Sequence, residues 1–232
     1  MSFWLTLVDL FLPRRCVVCG AELTSSERDL CNVCLCRLVP VRWSSVTDNP
    51  LLRSLWDKYD VEAAGSSLYY HSYSEYHKLF IAIKYQGCPQ LGTKLAVLTF
   101  PMWYSMGLGV GVDAVIPISL SWRRRLSRGY NQAEWIAKGV SKVIHVPVCT
   151  DILVRKKNNS TQTHKGAHER WNNTYGIFAV KKRQIDLNDK VVLLVDDIMT
   201  TGATLCDAIR ALREAFPRIR LQVYTLGWSG DG

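Results

Sequence analysis

Two adjacent aspartates at the end of an apolar run, Asp196 and Asp197, are the residues of this 232-residue chain best suited by type and spacing to do chemistry. They close Val191-Val192-Leu193-Leu194-Val195 and are followed by Ile198-Met199-Thr200-Thr201-Gly202-Ala203-Thr204. Five consecutive apolar residues predict a strand buried on both faces. Leu205, Ala208, Ile209 and Leu212 then recur at helical spacing, so a helix begins just after the threonines. The first amides of a helix lack partners and carry the positive end of its dipole, which suits a phosphate. Gly202 and Ala203 let the backbone approach that phosphate, and Thr200, Thr201 and Thr204 add hydroxyl donors. The two carboxylates can accept hydrogen bonds from a sugar diol, and they are negative where positive charge develops at an anomeric carbon. Together these residues predict a site for a phosphorylated sugar. The plainer alternative is a buried strand capped by two turn-forming aspartates, which needs neither the second carboxylate nor three threonines.

Cysteines form the second group. Cys16-Val17-Val18-Cys19 and Cys31-Asn32-Val33-Cys34 are two CxxC knuckles separated by eleven residues. Four thiolates so spaced suit tetrahedral zinc, and Gly20 supplies the tight turn after the first knuckle. A closed four-sulfur site is structural, because it leaves no coordination position open. Cys36 is read as a spare, with a ligand swap left open, and Cys88, Cys149 and Cys206 as small apolar residues. Disulfides are the competing use. The apolar opening from Phe3 to Leu12 carries Asp9, lacks a basic leader and is too short to span a bilayer. A reduced, cytoplasmic protein with no membrane insertion is therefore expected.

Third come Arg123, Arg124, Arg125 and Arg128, expected in a loop after the strand Asp113 to Ile118. They suit a doubly charged leaving group, the alternative being a solvated basic turn. The segment from Arg155 to Asn173 is polar and without hydrophobic period, and reads as a mobile loop.

The elements that must hold these groups are legible in outline. At 48% hydrophobic content the chain can bury one good core and carry a small appendage. The expected organisation is a zinc-ribbon module over 1–45, a linker over 46–60 and a main domain over 61–232. Helices are predicted from Glu75 to Tyr85, from Gln90 to Met106 with a kink or early stop at Pro101, and from Asn131 to Ile144. A last strand spans Arg220 to Trp228. Strands alternating with helices imply a mostly parallel sheet, whose ligand sites lie at the carboxyl ends of its strands. Lys84 can reach a phosphate, but a lysine near a helix C-terminus usually just complements the dipole. None of the histidines reads as a general base. With 29 basic and 20 acidic residues the net charge is +9, which favours anionic partners, phosphorylated metabolites and nucleic acid alike.

The strand, acidic pair and Thr-Thr-Gly-x-Thr run resembles the phosphoribosyl pyrophosphate (PRPP) motif of the type I phosphoribosyltransferases. Arg128-Gly129-Tyr130-Asn131-Gln132, Thr161-Gln162 ahead of Gly176-Ile177-Phe178, and the N-terminal knuckles sharpen the likeness. With them the chain resembles the ComF family, bacterial competence-associated proteins that couple a zinc finger to a phosphoribosyltransferase-like domain. One departure is Ser119-Leu120-Ser121, where that family often carries a histidine and a proline.

The resemblance implies an α/β, type I phosphoribosyltransferase-like fold, a mostly parallel sheet flanked by helices with a small N-terminal zinc ribbon. It implies transfer of phosphoribose from PRPP to an unidentified acceptor with release of pyrophosphate. Magnesium would bridge pyrophosphate and ribose oxygens, and Arg124, Arg125 and Arg128 would neutralise the leaving group. Asp196 and Asp197 would hold the ribose, and Thr200 to Thr204 the 5-phosphate. A flexible loop carrying Arg155, Thr161, Gln162 and Arg170 would close over the site and exclude water. The alternative is a non-enzymatic PRPP-binding or single-stranded-DNA-binding factor in natural transformation. Trp43, Trp56 and Trp122 would then stack on bases, unless they are packing residues.

Overall fold

The structure is a computed structural model that describes residues 14–56, 59–156, 176–181 and 185–230. In chain order the elements are α1 (Asn32–Cys36), α2 (Pro50–Trp56), β1 (Ala63–Tyr69), α3 (His77–Tyr85), α4 (Pro89–Ser105), β2 (Ala114–Pro117) and α5 (Trp122–Arg128). They continue with α6 (Gln132–Ile144), β3 (Leu153–Arg155), β4 (Phe178–Val180), β5 (Val191–Met199), α7 (Ala203–Ala215) and β6 (Arg220–Trp228). The main sheet is parallel throughout, in the order β1-β6-β5-β2. A separate antiparallel ribbon pairs β3 with β4.

Side chains alternate across a strand, so β5 feeds two cores. Val191, Leu193 and Val195 pack with Leu79 and Ile83 of α3, Leu95 and Phe100 of α4, and Ile136 and Val140 of α6. Val192 and Leu194 pack with Leu51 and Leu55 of α2 and with Ile209 and Leu212 of α7. Each fully buried leucine or isoleucine contributes about 2 kcal/mol, which is why the unbroken apolar run of β5 becomes the middle of the sheet. The fold is the expected α/β layering, with helices on both faces.

Three local expectations are corrected. The stretch 46–60 is not a linker. Its leucines Leu51, Leu52 and Leu55 are completely buried, and Asn49 starts α2 by accepting from the Leu52 amide at 2.9 Å. Polar residues around a short apolar repeat hid a helix that covers β1. Helix α4 also runs through Pro101 to Ser105. Pro101 is exposed, and the carbonyl its ring cannot satisfy belongs to the part-exposed Val97. Finally, the arginine cluster is a helix rather than a loop. Ser121 caps α5 through the Arg124 amide, and Gly129 ends it at φ 78°, a conformation glycine adopts without a Cβ clash.

The cysteine module is continuous with the sheet domain. Val18 and Leu30 share one apolar cluster with α3 and α4. Val41 donates to the Ser67 carbonyl at 2.9 Å, covering the edge of β1 that would otherwise present free backbone groups.

Candidate functional site

The site is built at the carboxyl end of β5, between β2 and β6, where helices depart to opposite faces of the sheet. Alternation sends Asp196 and Asp197 to different sides. Asp197 faces α3, where Lys84 Nζ lies 3.1 Å from its Oδ2. Both carboxylates are buried, at 7% and 6% exposure. The Asp197 amide donates to Asp196 Oδ1 at 2.8 Å, and the Ile198 amide to Asp197 Oδ1 at 2.7 Å. Burial, and then the neighbouring Asp197 charge, pushes the Asp196 carboxyl well above the ordinary carboxylate range. A pair so placed is completed by hydroxyl donors or by a cation.

Cations line the rest of the cleft. Its volume is about 350 Å³, and Lys84, Arg124, Arg128 and Arg155 border it together with the two aspartates. Arg128 is held by Gln132 Oε1 at 2.8 Å and lies 4.6 Å from the Tyr85 ring centre. Burial, and then the nearby Arg124, draws the Arg155 guanidinium below its usual range. Positive charges crowded into a partly dry cleft suit a multiply charged anion.

Beside this cleft lies a pocket of about 30 Å³ walled by the 200–205 backbone and Asp196. Gly202 is the N-cap of α7 at φ 73°, and no side chain caps the helix. That left-handed conformation favours glycine, and a Cβ there would lie 2.8 Å from Met199 Cε, so the methionine end would have to shift. The uncapped amides of α7 stand where the sequence predicts an anion site.

Most of the expected residues meet. Asp196, Asp197, Arg124, Arg128, Arg155 and Thr204 share the cleft, and Thr200, Thr201, Gly202 and Ala203 line the adjoining pocket. Arg125 does not join them. Its side chain is 63% exposed and lies 3.9 Å from Glu134, because one residue's advance turns it a hundred degrees around α5 from Arg124. Thr161, Gln162 and Arg170 lie outside the described residues, as does the side chain of Trp56. Arg155 belongs to β3.

Two contributors escaped the sequence reading. Lys84 reads there as a dipole-complementing lysine, yet it pairs with Asp197. Buried Asp207 takes the amides of Gly176, Ile177 and Phe178 at 2.7, 2.8 and 2.8 Å, and Arg210 Nε at 2.8 Å. It thereby fixes the β3–β4 ribbon against α7, one turn from the anion pocket. Only a carboxylate set among the apolar positions of an amphipathic helix signalled it.

The cysteine cluster is a second, separate centre. The Sγ atoms of Cys16, Cys19, Cys31 and Cys34 all lie within 4.8 Å of one another, with Cys19 and Cys31 3.8 Å apart. Zinc–sulfur bonds of about 2.3 Å set tetrahedral sulfur–sulfur edges of about 3.8 Å, so the set can hold such a metal. Burial works to raise the Cys16 thiol, but the amides of Cys19, Cys31 and Val18 outweigh it and bring it down to about 6. Cys36 is exposed and outside the cluster.

Other candidates take structural places. Trp43 packs edge-on against Trp103 and Trp228 at 5.8 and 5.0 Å, whereas Trp122 is 60% exposed. His71 stacks between Tyr69 and Tyr73, and His77 Nδ1 meets the Ser74 carbonyl at 2.7 Å. No helix among the described residues is long and apolar enough to cross a membrane.

Residues 131–226 match the phosphoribosyl transferase domain family, a span that holds α6, β5, the acidic pair and the Thr/Gly loop. Competence protein F of Haemophilus influenzae is 33% identical over 102 residues, 44% of either chain. Competence protein ComFC of Bacillus subtilis is 35% identical over 112 residues, 48% of this chain and 43% of that one. DNA utilization protein YhgH of Escherichia coli O157:H7 is 26% identical over 100 residues, 43% of either chain. The chain thus spans less than half the length of these curated relatives. It carries a phosphoribosyl transferase domain behind a four-cysteine cluster and is a homologue of the competence protein F, ComFC and YhgH proteins.

Proposed function

We propose that the cleft binds PRPP with magnesium and that the protein transfers the phosphoribosyl group to an acceptor, releasing pyrophosphate. What carries this reading is the convergence of two buried adjacent carboxylates, four cationic side chains and an uncapped helix N-terminus. The amides and hydroxyls of 200–204 hold the 5-phosphate. Asp196 and Asp197 accept from the ribose hydroxyls and stabilise the positive charge that develops at C1. Lys84, Arg124, Arg128 and Arg155 receive the pyrophosphate, which departs with the electron pair of the C1–O bond as the acceptor's lone pair forms the new bond. Magnesium, when bound, adds charge neutralisation on the pyrophosphate oxygens. Zinc fills the cysteine cluster as a structural ion. Relatives named for competence and for DNA utilization support a role in DNA uptake or use, and a reduced four-cysteine zinc site suits the cytoplasm.

Calorimetry with PRPP and magnesium tests the reading. Saturable one-site binding is expected, followed by pyrophosphate release when the right acceptor is supplied. Absence of binding by the wild-type protein sinks it. Lys84→Met is expected to weaken binding about ten- to a hundredfold, the worth of one charge-assisted contact of about 1.5–3 kcal/mol. An unchanged affinity removes Lys84 from the pyrophosphate site.

Two aromatic–arginine pairs, one exposed and one at the rim of the cleft, favour a second reading, a binding factor without catalysis that contacts single-stranded DNA. Arg123 lies 5.5 Å from the Trp122 ring and Arg128 4.6 Å from Tyr85. Oligonucleotide binding that weakens steeply with salt, with no pyrophosphate release from any base or nucleoside, would favour it.

A further inference from the structure

The registers of the main sheet align Asp196 with Thr225 and Thr225 with Ser66. The three residues therefore form one row across β5, β6 and β1. By alternation the row lies on the face of Val192, Leu194, Leu221, Val223 and Ala64, all of one core cluster. Ser66 and Thr225 are completely buried, and neither hydroxyl has a hydrogen-bond partner among the described residues. The opposite face treats its hydroxyls differently. There Ser67 Oγ meets Tyr224 Oη at 2.6 Å, and Tyr224 Oη lies 3.4 Å from Thr99 Oγ1. Buried polar groups are normally satisfied, and one left unpaired destabilises the fold. Two unpaired hydroxyls leading in a line to a site carboxylate call for a reason beyond folding.

We infer that Thr225 and Ser66 are positioning residues for Asp196, a row of hydroxyls that fixes its carboxylate where a ribose hydroxyl meets it. This rests on the reading of the cleft as a PRPP site. Neighbouring strands lie about 4.8 Å apart, so rotation about one side-chain bond carries the Thr225 hydroxyl toward the carboxylate. A hydroxyl both donates and accepts. Thr225 donates to the ionised carboxylate, a charge-assisted bond, and Ser66 donates in turn to Thr225. No proton changes owner. The row closes when ligand demands the charged form of Asp196, and it stands open without ligand.

The test compares Thr225→Val and Thr225→Ser with wild type, by PRPP–magnesium calorimetry and by thermal unfolding without ligand. Valine keeps the shape and deletes the hydroxyl. Its PRPP affinity is expected to fall about tenfold, the loss of one charge-assisted bond, while its melting temperature stays level or rises. Serine restores the affinity. Wild-type binding with an unchanged valine variant overturns the inference alone. A valine variant that melts several degrees lower also overturns it, because the hydroxyl is then a structural group. Wild-type protein that binds no PRPP overturns the reading of the cleft, and the inference with it.

Discussion

Replacing both aspartates, Asp196→Asn with Asp197→Asn, abolishes PRPP binding and leaves the fold standing. Each carboxylate that accepts from a ribose hydroxyl makes a charge-assisted bond of about 1.5–3 kcal/mol, so losing two weakens binding by about a hundredfold or more. Stability moves the other way. Asp196 is a buried acid beside a second acid, and its carboxyl sits well above the ordinary range because of burial first and Asp197 second. From about pH 4, where the unfolded carboxyl titrates, up through the folded value, the folded state binds a proton that the unfolded chain has released. Stability therefore falls as pH rises through that window. Asparagine at 196 carries no such penalty. The single variant Asp196→Asn should melt higher than wild type, by a margin that grows from pH 5 to pH 8. Calorimetry and melting curves at those two values check both halves. Retained affinity in the double variant would falsify the site, and a margin that shrinks with pH would refute the account of the buried charge.

What the sequence made legible follows from how local each signal is. Strand β5, the acidic pair, the Thr/Gly turn and α7 are consecutive, so hydrophobic period, glycine and helix start speak about the same few residues. The four cysteines are equally local, since two knuckles define their own geometry. Lys84 and Asp207 could not be read this way, because each works through a partner far along the chain. Lys84 meets Asp197, and Asp207 meets 176–178. Lys84 reaches Asp197 only because β1, which leads into α3, lies in the same sheet as β5 with β6 between them, and Asp207 reaches 176–178 only because the separate β3–β4 ribbon packs on α7. The linker expectation failed for a related reason. Leu51, Leu52 and Leu55 are too few to show a helical period, and their burial depends on the face of β1 they cover. Arg125 failed on rotation: a run of consecutive arginines in a helix spreads around it, and only those facing β5 enter the cleft.

Removing one of the four clustered cysteines should weaken binding at the proposed PRPP site as well as at the proposed zinc site. The connection is α3. Near its start Lys78 Nζ donates to the Val18 carbonyl at 3.0 Å, and Tyr76, its N-cap, donates to the Cys34 carbonyl at 3.3 Å. At its end Lys84 pairs with Asp197, and Tyr85 borders the cleft. Lys78 and Lys84 are separated by roughly 9 Å of helix at 1.5 Å per residue, and Leu79, Phe80 and Ile83 bury the helix between them. Cys16→Ser removes one of four thiolates, so the remaining three hold zinc weakly and the knuckles lose their cross-link. The buried residues Cys16, Val18 and Leu30 then no longer anchor the start of α3. The variant should lose its metal, melt several degrees lower (about 1–3 kcal/mol for loss of a small buried anchor) and bind PRPP about tenfold more weakly, the worth of about 1.4 kcal/mol through a displaced Lys84. Metal analysis of anaerobically purified wild type comes first, and less than a small fraction of one zinc per chain refutes the cluster as a zinc site. A variant that loses zinc yet binds PRPP with wild-type affinity refutes the link through α3, leaving the cysteine module a support for the fold alone. Lys78→Met separates the two effects, since it cuts the tie at Val18 while leaving all four thiolates in place. With zinc retained and PRPP affinity lowered, the tie itself positions Lys84.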